Sequence, residues 1–222
     1  MKDIKISSKI RTAAPELKVL QIGATVKNSP TSDELWKEIE QASEKLIKNY
    51  ELQALNKRKS ISATRSAYKK LGKDPNRYRP SAEALGRRII NGKGIYRLTT
   101  LIDAINLISI ITGHSIGGFD ADKIKGESLL LDAGTHEDEF IAIGRGPLNI
   151  EGLPVYRDAI GGIGTPTSDE ERTKLTPETT HLLMLVNVYG ADDLSITEMR
   201  DLIKDLLTRY AELSQFESKI IE

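Results

Sequence analysis

The stretch TGHSIGGFDADKIKG, residues 112–126, holds one imidazole (His114), two adjacent glycines (Gly117 and Gly118), an aromatic ring (Phe119) and two carboxylates (Asp120 and Asp122). An imidazole can move a proton near neutral pH. Paired glycines let the backbone turn tightly or approach a ligand closely. Taken alone, the stretch fits a reactive site and a turn between packed elements equally well. A second stretch, GGIGTPTSDEERT, residues 161–173, opens on Gly161 and Gly162 and carries Asp169 and Arg172 at a spacing that would let them pair on a helical turn. By composition it could hold an anion. It lacks the lysine and the strand–loop–helix setting of a phosphate loop, so glycines serving tight turns is the simpler reading. Arg145 lies in a third glycine turn, GRGP, from which it too could reach an anion.

Several chemistries are excluded or disfavoured by what is missing. The chain of 222 residues has no cysteine, which removes disulfides, thiolate nucleophiles and cysteine-bearing zinc sites. Its three histidines, His114, His136 and His181, lie far apart and show no H-x-x-x-H spacing, so no metal site is expected. The G-x-S-x-G elbow, the P-loop and the dinucleotide fingerprint are absent as well, and no cofactor is expected. The most apolar run, LTTLIDAINLISIITG, is interrupted by Asp103 and Asn106 and is too short to span a bilayer. The N-terminal MKDIKISSKI has no apolar core of signal-peptide length. The expectation is a soluble cytoplasmic protein.

Net charge is zero but unevenly spread. Residues 57–97 hold thirteen Lys or Arg against two acids, whereas residues 120–222 hold ten basic and twenty-one acidic residues. Either the two parts neutralise each other across the fold, or the basic part faces a polyanion. In that basic part Arg77, Arg79, Arg87, Arg88 and Lys93 alternate with Tyr68, Tyr78 and Tyr96. Cations meet phosphates and tyrosines stack on unpaired bases, so this interleaving favours nucleic acid.

The elements that must position these groups are legible from periodicity. LKVLQIGATVK, apolar and β-branched, reads as a strand. SPTSDELWKEIEQASEKLIKNYEL reads as a helix, with Thr31 and Glu34 as its capping box. SATRSAYKKLG reads as a basic helix stopped at Gly72, and SAEALGRRII as a short helix capped by Ser81. TTLIDAINLISIIT, apolar on nearly every face, reads as a buried helix begun at Thr99 or Thr100 and ended at Gly113. SLLL, EFIAIG, LPVYRD and HLLMLVNV, separated by Gly, Pro and Asp, read as strands. The amphipathic helix SITEMRDLIKDLLTRYAEL opens on a second capping box, Ser195 with Glu198. Helices first, strands next and a final helix argue for an α+β fold in a single domain spanning 1–222.

The block GIYRLTTLIDAINLISIITGHSIGGFDADKIKG resembles the B-three/B-four module of the phenylalanyl-tRNA synthetase beta subunit. That family commonly reads G-I-x-x-I-N-N-V-V-D-V-T-N-Y-V, then G-Q-P-L-H-A-F-D-x-D-K-L. Gly94, Asp103, Asn106, Gly113, Phe119, Asp120, Asp122 and Lys123 fall on its positions. RPSAEALGRRI is similar to the preceding family segment, with Arg88 on its arginine. The resemblance covers about 60–190 and implies a β-rich mixed-sheet core flanked by helices. In the synthetase the module hydrolyses tyrosine wrongly attached to the phenylalanine tRNA, a step needed because an apolar pocket rejects an isostere that adds a hydroxyl only about a hundredfold.

Two positions depart from the family pattern. Its histidine falls on Gly117 and its threonine on Ile105, and neither replacement hydrogen-bonds through a side chain. The resemblance therefore implies a tRNA or aminoacyl-tRNA binding protein, a stand-alone relative of the module that could hydrolyse mischarged tRNA in trans. Asp169 and His114 are the candidates for catalysis. Gly117, Gly118, Phe119, Asp120, Gly161, Gly162 and Arg172 are candidates for substrate binding, from a Gly117–Asp120 turn set beside the GGIGTPTSDEERT loop. Arg77, Arg79, Arg87, Arg88 and Lys93 are candidates for tRNA. Two other readings stay open: a pocket for an amino acid or metabolite without RNA, and a module that docks on another protein through its acidic half.

Overall fold

The computed structural model describes residues 1–190 and 194–222. The element order is β1 (Asp3–Ile6), α1 (Ser8–Ala13), β2 (Lys18–Thr25), α2 (Asp33–Asn49), α3 (Lys59–Lys70), α4 (Ser81–Ile90), α5 (Thr100–Thr112) and β3 (Ile116–Asp120). There follow β4 (Ser128–Ala133), β5 (Ile141–Ala142), β6 (Gly146–Pro147), β7 (Pro154–Arg157), β8 (Gly162–Gly164), β9 (His181–Val188), α6 (Ile196–Tyr210) and β10 (Gln215–Ile221). This is an α+β fold with two four-stranded sheets and a small hairpin of β5 and β6.

One sheet runs β10-β2-β9-β3 and is antiparallel throughout. The other runs β1-β4-β7-β8 and is mixed, because β1 pairs parallel with β4. Successive strand residues face opposite sides of a sheet, and the first sheet buries both sides. Leu20, Ile22, Leu182, Met184, Val186 and Ile116 join a core with α2, α4, α5 and α6. Their neighbours Val19, Leu183, Leu185 and Phe119 join a second core with Leu129, Leu131, Tyr156 and Ile163 of the mixed sheet. The order is helices, sheet, sheet. β9 lies at its centre and is buried along all but its first residue, which is why HLLMLVNV shows no alternation.

The helix α5 is the central helix, as its sequence predicts. Leu101, Ala104, Leu107 and Ile108 are at most 1% exposed. Asp103 is buried, and its Oδ2 accepts from Thr31 Oγ1 at 2.5 Å and from the Leu98 amide at 2.9 Å. Gly113 ends the helix at φ 72°, a left-handed conformation that suits glycine. The carbonyls left over at that end are taken by the start of α3: Arg58, just before it, donates to Ile110 O at 2.9 Å and to Ile111 O, and Ser60 Oγ in its first turn donates to Thr112 O at 3.1 Å.

The helix starts need one confirmation and two corrections. Ser195 and Glu198 form their capping box. The cap of α2 is Ser32, whose side chain accepts from the Leu35 amide, because Thr31 is drawn inward to Asp103. Ser81 does not cap α4. Instead the Ser81 amide donates to Pro166 O at 2.7 Å and the Ala82 amide to Ser115 Oγ at 3.4 Å, which ties the start of α4 to the 165–168 turn.

The expected turn at Gly117–Asp120 is also corrected. These residues lie within β3, paired from Ile116 with Val186 to Asp120 with Leu182.

Candidate functional site

A cavity of about 650 Å³ opens between α4, α5 and β3 and is closed by the β5–β6 turn and by residues 165–169. Leu85, Ile102, Ile105, Ile116 and Leu175 supply its apolar wall. Arg87, Arg88, Lys93, Arg145 and Lys174 supply cations, while Asp169 is the one acidic residue of the lining among the described residues. Among the described residues, Arg87, Arg88, Lys93 and Arg145 form no ion pair, whereas Lys174 pairs with Glu171. Arg88, which lines the cavity, lies 4.4 Å from the ring centre of Tyr96, a tyrosine 68% exposed, so a cation and an exposed ring stand together.

Much of the basic stretch serves the fold instead. Arg58 closes α5, and the buried Arg65 donates to Glu83 at 2.7 Å and to Pro75 O at 3.0 Å. Lys73 donates to Asn149 O at 2.9 Å and lies 3.8 Å from the Tyr78 ring centre. Arg97 donates to the Thr31 carbonyl at 2.5 Å and to Asp33 at 2.7 Å. Arg77 and Arg79 are exposed before α4 and do not line the cavity, and Arg79 approaches Glu83 at 3.9 Å. The five expected contacts therefore divide into Arg87, Arg88 and Lys93 at the cavity and two residues away from it.

The two glycine-bearing stretches meet at one point. The Gly118 amide donates to Asp169 Oδ2 at 3.2 Å. Asp169 reaches β3 because the backbone is bare there. A Cβ on Gly164 would stand 2.7 Å from Asp169 Oδ1 and 2.6 Å from Phe119 Cζ, and one on Gly117 would stand 2.6 Å from the same ring atom. Those distances are shorter than van der Waals contact allows, so side chains at 117 and 164 are incompatible with this packing. A Cβ on Gly118, facing the other way, would overlap Ile105 Cδ1. Asp169 is partly buried against this packing and keeps an opening to the cavity. Burial pushes its pKa up to about 7, against the pull of the Gly118 hydrogen bond.

The remaining candidates lie elsewhere. Gly117 and Phe119 face the space between the sheets, and Asp120 is buried, accepting from Thr179 Oγ1 at 3.0 Å. His114 is fully buried and does not line the cavity; its amide donates to Thr112 Oγ1 at 3.2 Å and its carbonyl accepts from Ser109 Oγ at 2.8 Å. Arg172 pairs with Asp158, at 2.9 and 3.1 Å, rather than with Asp169. Burial pushes the Asp158 carboxyl up, but the Arg172 hydrogen bonds and backbone amides bring it below the usual carboxylate range. Gly161, Gly162 and Arg172 line a separate cleft with Phe140 and Ile160. So GGIGTPTSDEERT is split: its middle, Thr165, Thr167, Ser168 and Asp169, faces the cavity, and its two ends do not.

Ile105 and Asn106, on family positions, both line the cavity. Lys174, Leu175 and the hydroxyls of Thr165, Thr167 and Ser168 are not marked individually by the sequence. Nothing in KLTP signals a cavity wall, and the 165–168 turn becomes one only by docking on the start of α4. Among the described residues no group of three or more His, Asp and Glu is placed to hold a metal ion, and no helix is long and apolar enough to cross a membrane.

An α+β fold with a helix layer over two sheets, and a cation-rimmed cavity between the layers, is the class to which these observations lead. The family model described as the B3/4 domain matches residues 63–204, and the chain belongs to that family. Among solved structures, an N-terminal fragment of the phenylalanyl-tRNA synthetase beta subunit from Pyrococcus horikoshii is similar at 15% identity and a TM-score of 0.47. That match covers 98% of this chain and 50% of the other, so the chain spans half the length of that fragment. No curated protein matches the sequence.

Proposed function

We propose that the chain binds tRNA or aminoacyl-tRNA, with an unpaired end of the nucleic acid entering the cavity. The observation that carries this reading is the lining: Arg87, Arg88, Lys93 and Arg145, which form no ion pair among the described residues, stand beside an apolar wall. Four cations on one cavity, without an ion pair among the described residues, favour an anionic ligand, and the apolar wall favours one with an apolar end. Tyr96 with Arg88 offers a face on which an unpaired base can stack. Membership of the B3/4 family agrees with this reading. Arg77 and Arg79 stand apart from the cavity, so Arg87, Arg88 and Lys93 carry the proposed phosphate contacts.

Titrating tRNA at several salt concentrations tests it. Phosphate contacts give an affinity that falls steeply with salt, whereas a metabolite pocket is nearly indifferent to it.

Ester hydrolysis in trans is the second reading, favoured by Asp169. A carboxyl held near neutral pKa can take a proton from water. Incubation with correctly and incorrectly charged phenylalanine tRNAs tests this step, and retention of both esters rejects it.

A further inference from the structure

The lining of the cavity has a feature that nucleic-acid binding alone does not use: among the described residues it holds one carboxyl, that of Asp169, beside its cations. That carboxyl is under-satisfied. An ionised carboxylate offers about four acceptor sites. Among the described residues the Asp169 carboxyl accepts one hydrogen bond, from the Gly118 amide at 3.2 Å, and enters no ion pair. The backbone leaves room for it, since a Cβ on Gly164 would stand 2.7 Å from Asp169 Oδ1. A buried carboxyl without a counter-charge is costly.

We infer that Asp169 is the anchor for a primary ammonium group on the ligand. Ile105 and Leu175, beside Gly118, provide an apolar surface next to the anchor, and the cations of the same lining can meet negative charge elsewhere on the ligand. The ligand class this defines has an ammonium and an apolar side chain at one end and negative charge at the other. An aminoacyl ester on a nucleic-acid end has that order. Burial raises the proton affinity of Asp169, as it does for a carboxyl that no cation among the described residues neutralises. In this role Asp169 holds the ligand as an ionised carboxylate and does not activate water. The inference rests on the cavity of the proposed function being a ligand site, but not on the ligand being RNA.

The probes are phenylalanine amide and 3-phenylpropanamide, which differ only in the ammonium, titrated by NMR against the parent and Asp169→Asn at a pH slightly above neutrality. The parent is expected to bind the amine about tenfold or more tightly than its des-amino analogue, as a charge-assisted hydrogen bond allows. Asp169→Asn is expected to bring the two within about twofold by weakening only the amine. Equal binding of both probes by the parent overturns the inference, as does no measurable binding of the amine. A preference that survives in Asp169→Asn overturns it too. The parent's preference is read without any variant, so a folding defect in Asp169→Asn cannot mask the result. Uncharged tRNA is titrated in parallel. An Asp169-dependent amine preference without tRNA binding keeps the anchor and rejects the nucleic-acid reading, and tRNA binding without the preference does the reverse.

Discussion

The Asp169 carboxylate accepts a hydrogen bond from the Gly118 amide at 3.2 Å, and this contact joins the two glycine-bearing stretches of the sequence at the cavity wall. Its cost appears as a pH dependence. In an unfolded chain an aspartate titrates at about 3.9; here burial raises Asp169 to about 7. Between those values the folded state holds more protons than the unfolded one. The contribution of Asp169 is therefore complete below about pH 4 and is lost as pH rises to about 7. Burial also raises Asp103, so the parent profile mixes groups, and the difference from Asp169→Asn isolates one. Urea unfolding across this window should show the parent losing stability relative to Asp169→Asn as pH rises. Parallel profiles would mean that Asp169 titrates like an exposed carboxylate.

The bare backbone around that carboxyl makes a second prediction. Gly164→Ala places a methyl against the rigid, fully buried Phe119 ring and should cost about 1–3 kcal/mol, the usual penalty of overpacking. Gly161→Ala, with nothing within 4 Å of its Cβ, should stay within about 0.5 kcal/mol. Gly117→His, which restores the family residue, meets the same ring and should destabilise the fold. Equal stability of all three by chemical denaturation would show that the glycines are not required by packing.

A third prediction concerns basic residues that the fold consumes. The Arg65–Glu83 pair is buried, with side chains 10% and 2% exposed. Glu83→Ala strands a buried guanidinium and should cost about 3–5 kcal/mol. The same measurement on Ile108→Ala, which opens a hole in the centre of α5, should give about 2–5 kcal/mol. A loss below about 0.5 kcal/mol in either variant would place that residue at the surface.

Where periodicity is strong, sequence and structure agree. α5 and β9 are apolar over most of their surface because most of it is covered. β3 is hidden in the sequence because IGGFD contains two glycines, which carry little strand propensity; its pairing is set by β9 and by the need to pass Phe119 and Asp169. β10 escapes for the opposite reason: QFESKII is an edge strand with mostly exposed residues. Charge counts cannot tell Arg58 and Arg65, which close helices and bury, from Arg87 and Arg88, which reach the cavity. Nor can the spacing of Asp169 and Arg172 reveal that Asp158, from another turn, takes the arginine.

The central claim, that the rim of this cavity receives nucleic-acid phosphates, is tested most directly by a salt series of tRNA titrations. The parent, Arg87→Ala/Arg88→Ala and Arg77→Ala/Arg79→Ala are compared by the slope of log affinity against log salt. The account predicts that the rim pair lowers the slope by about 0.7–0.9 for each phosphate that is no longer neutralised, and that the outer pair lowers it less. An unchanged slope in Arg87→Ala/Arg88→Ala, or a larger decrease in Arg77→Ala/Arg79→Ala, would contradict it.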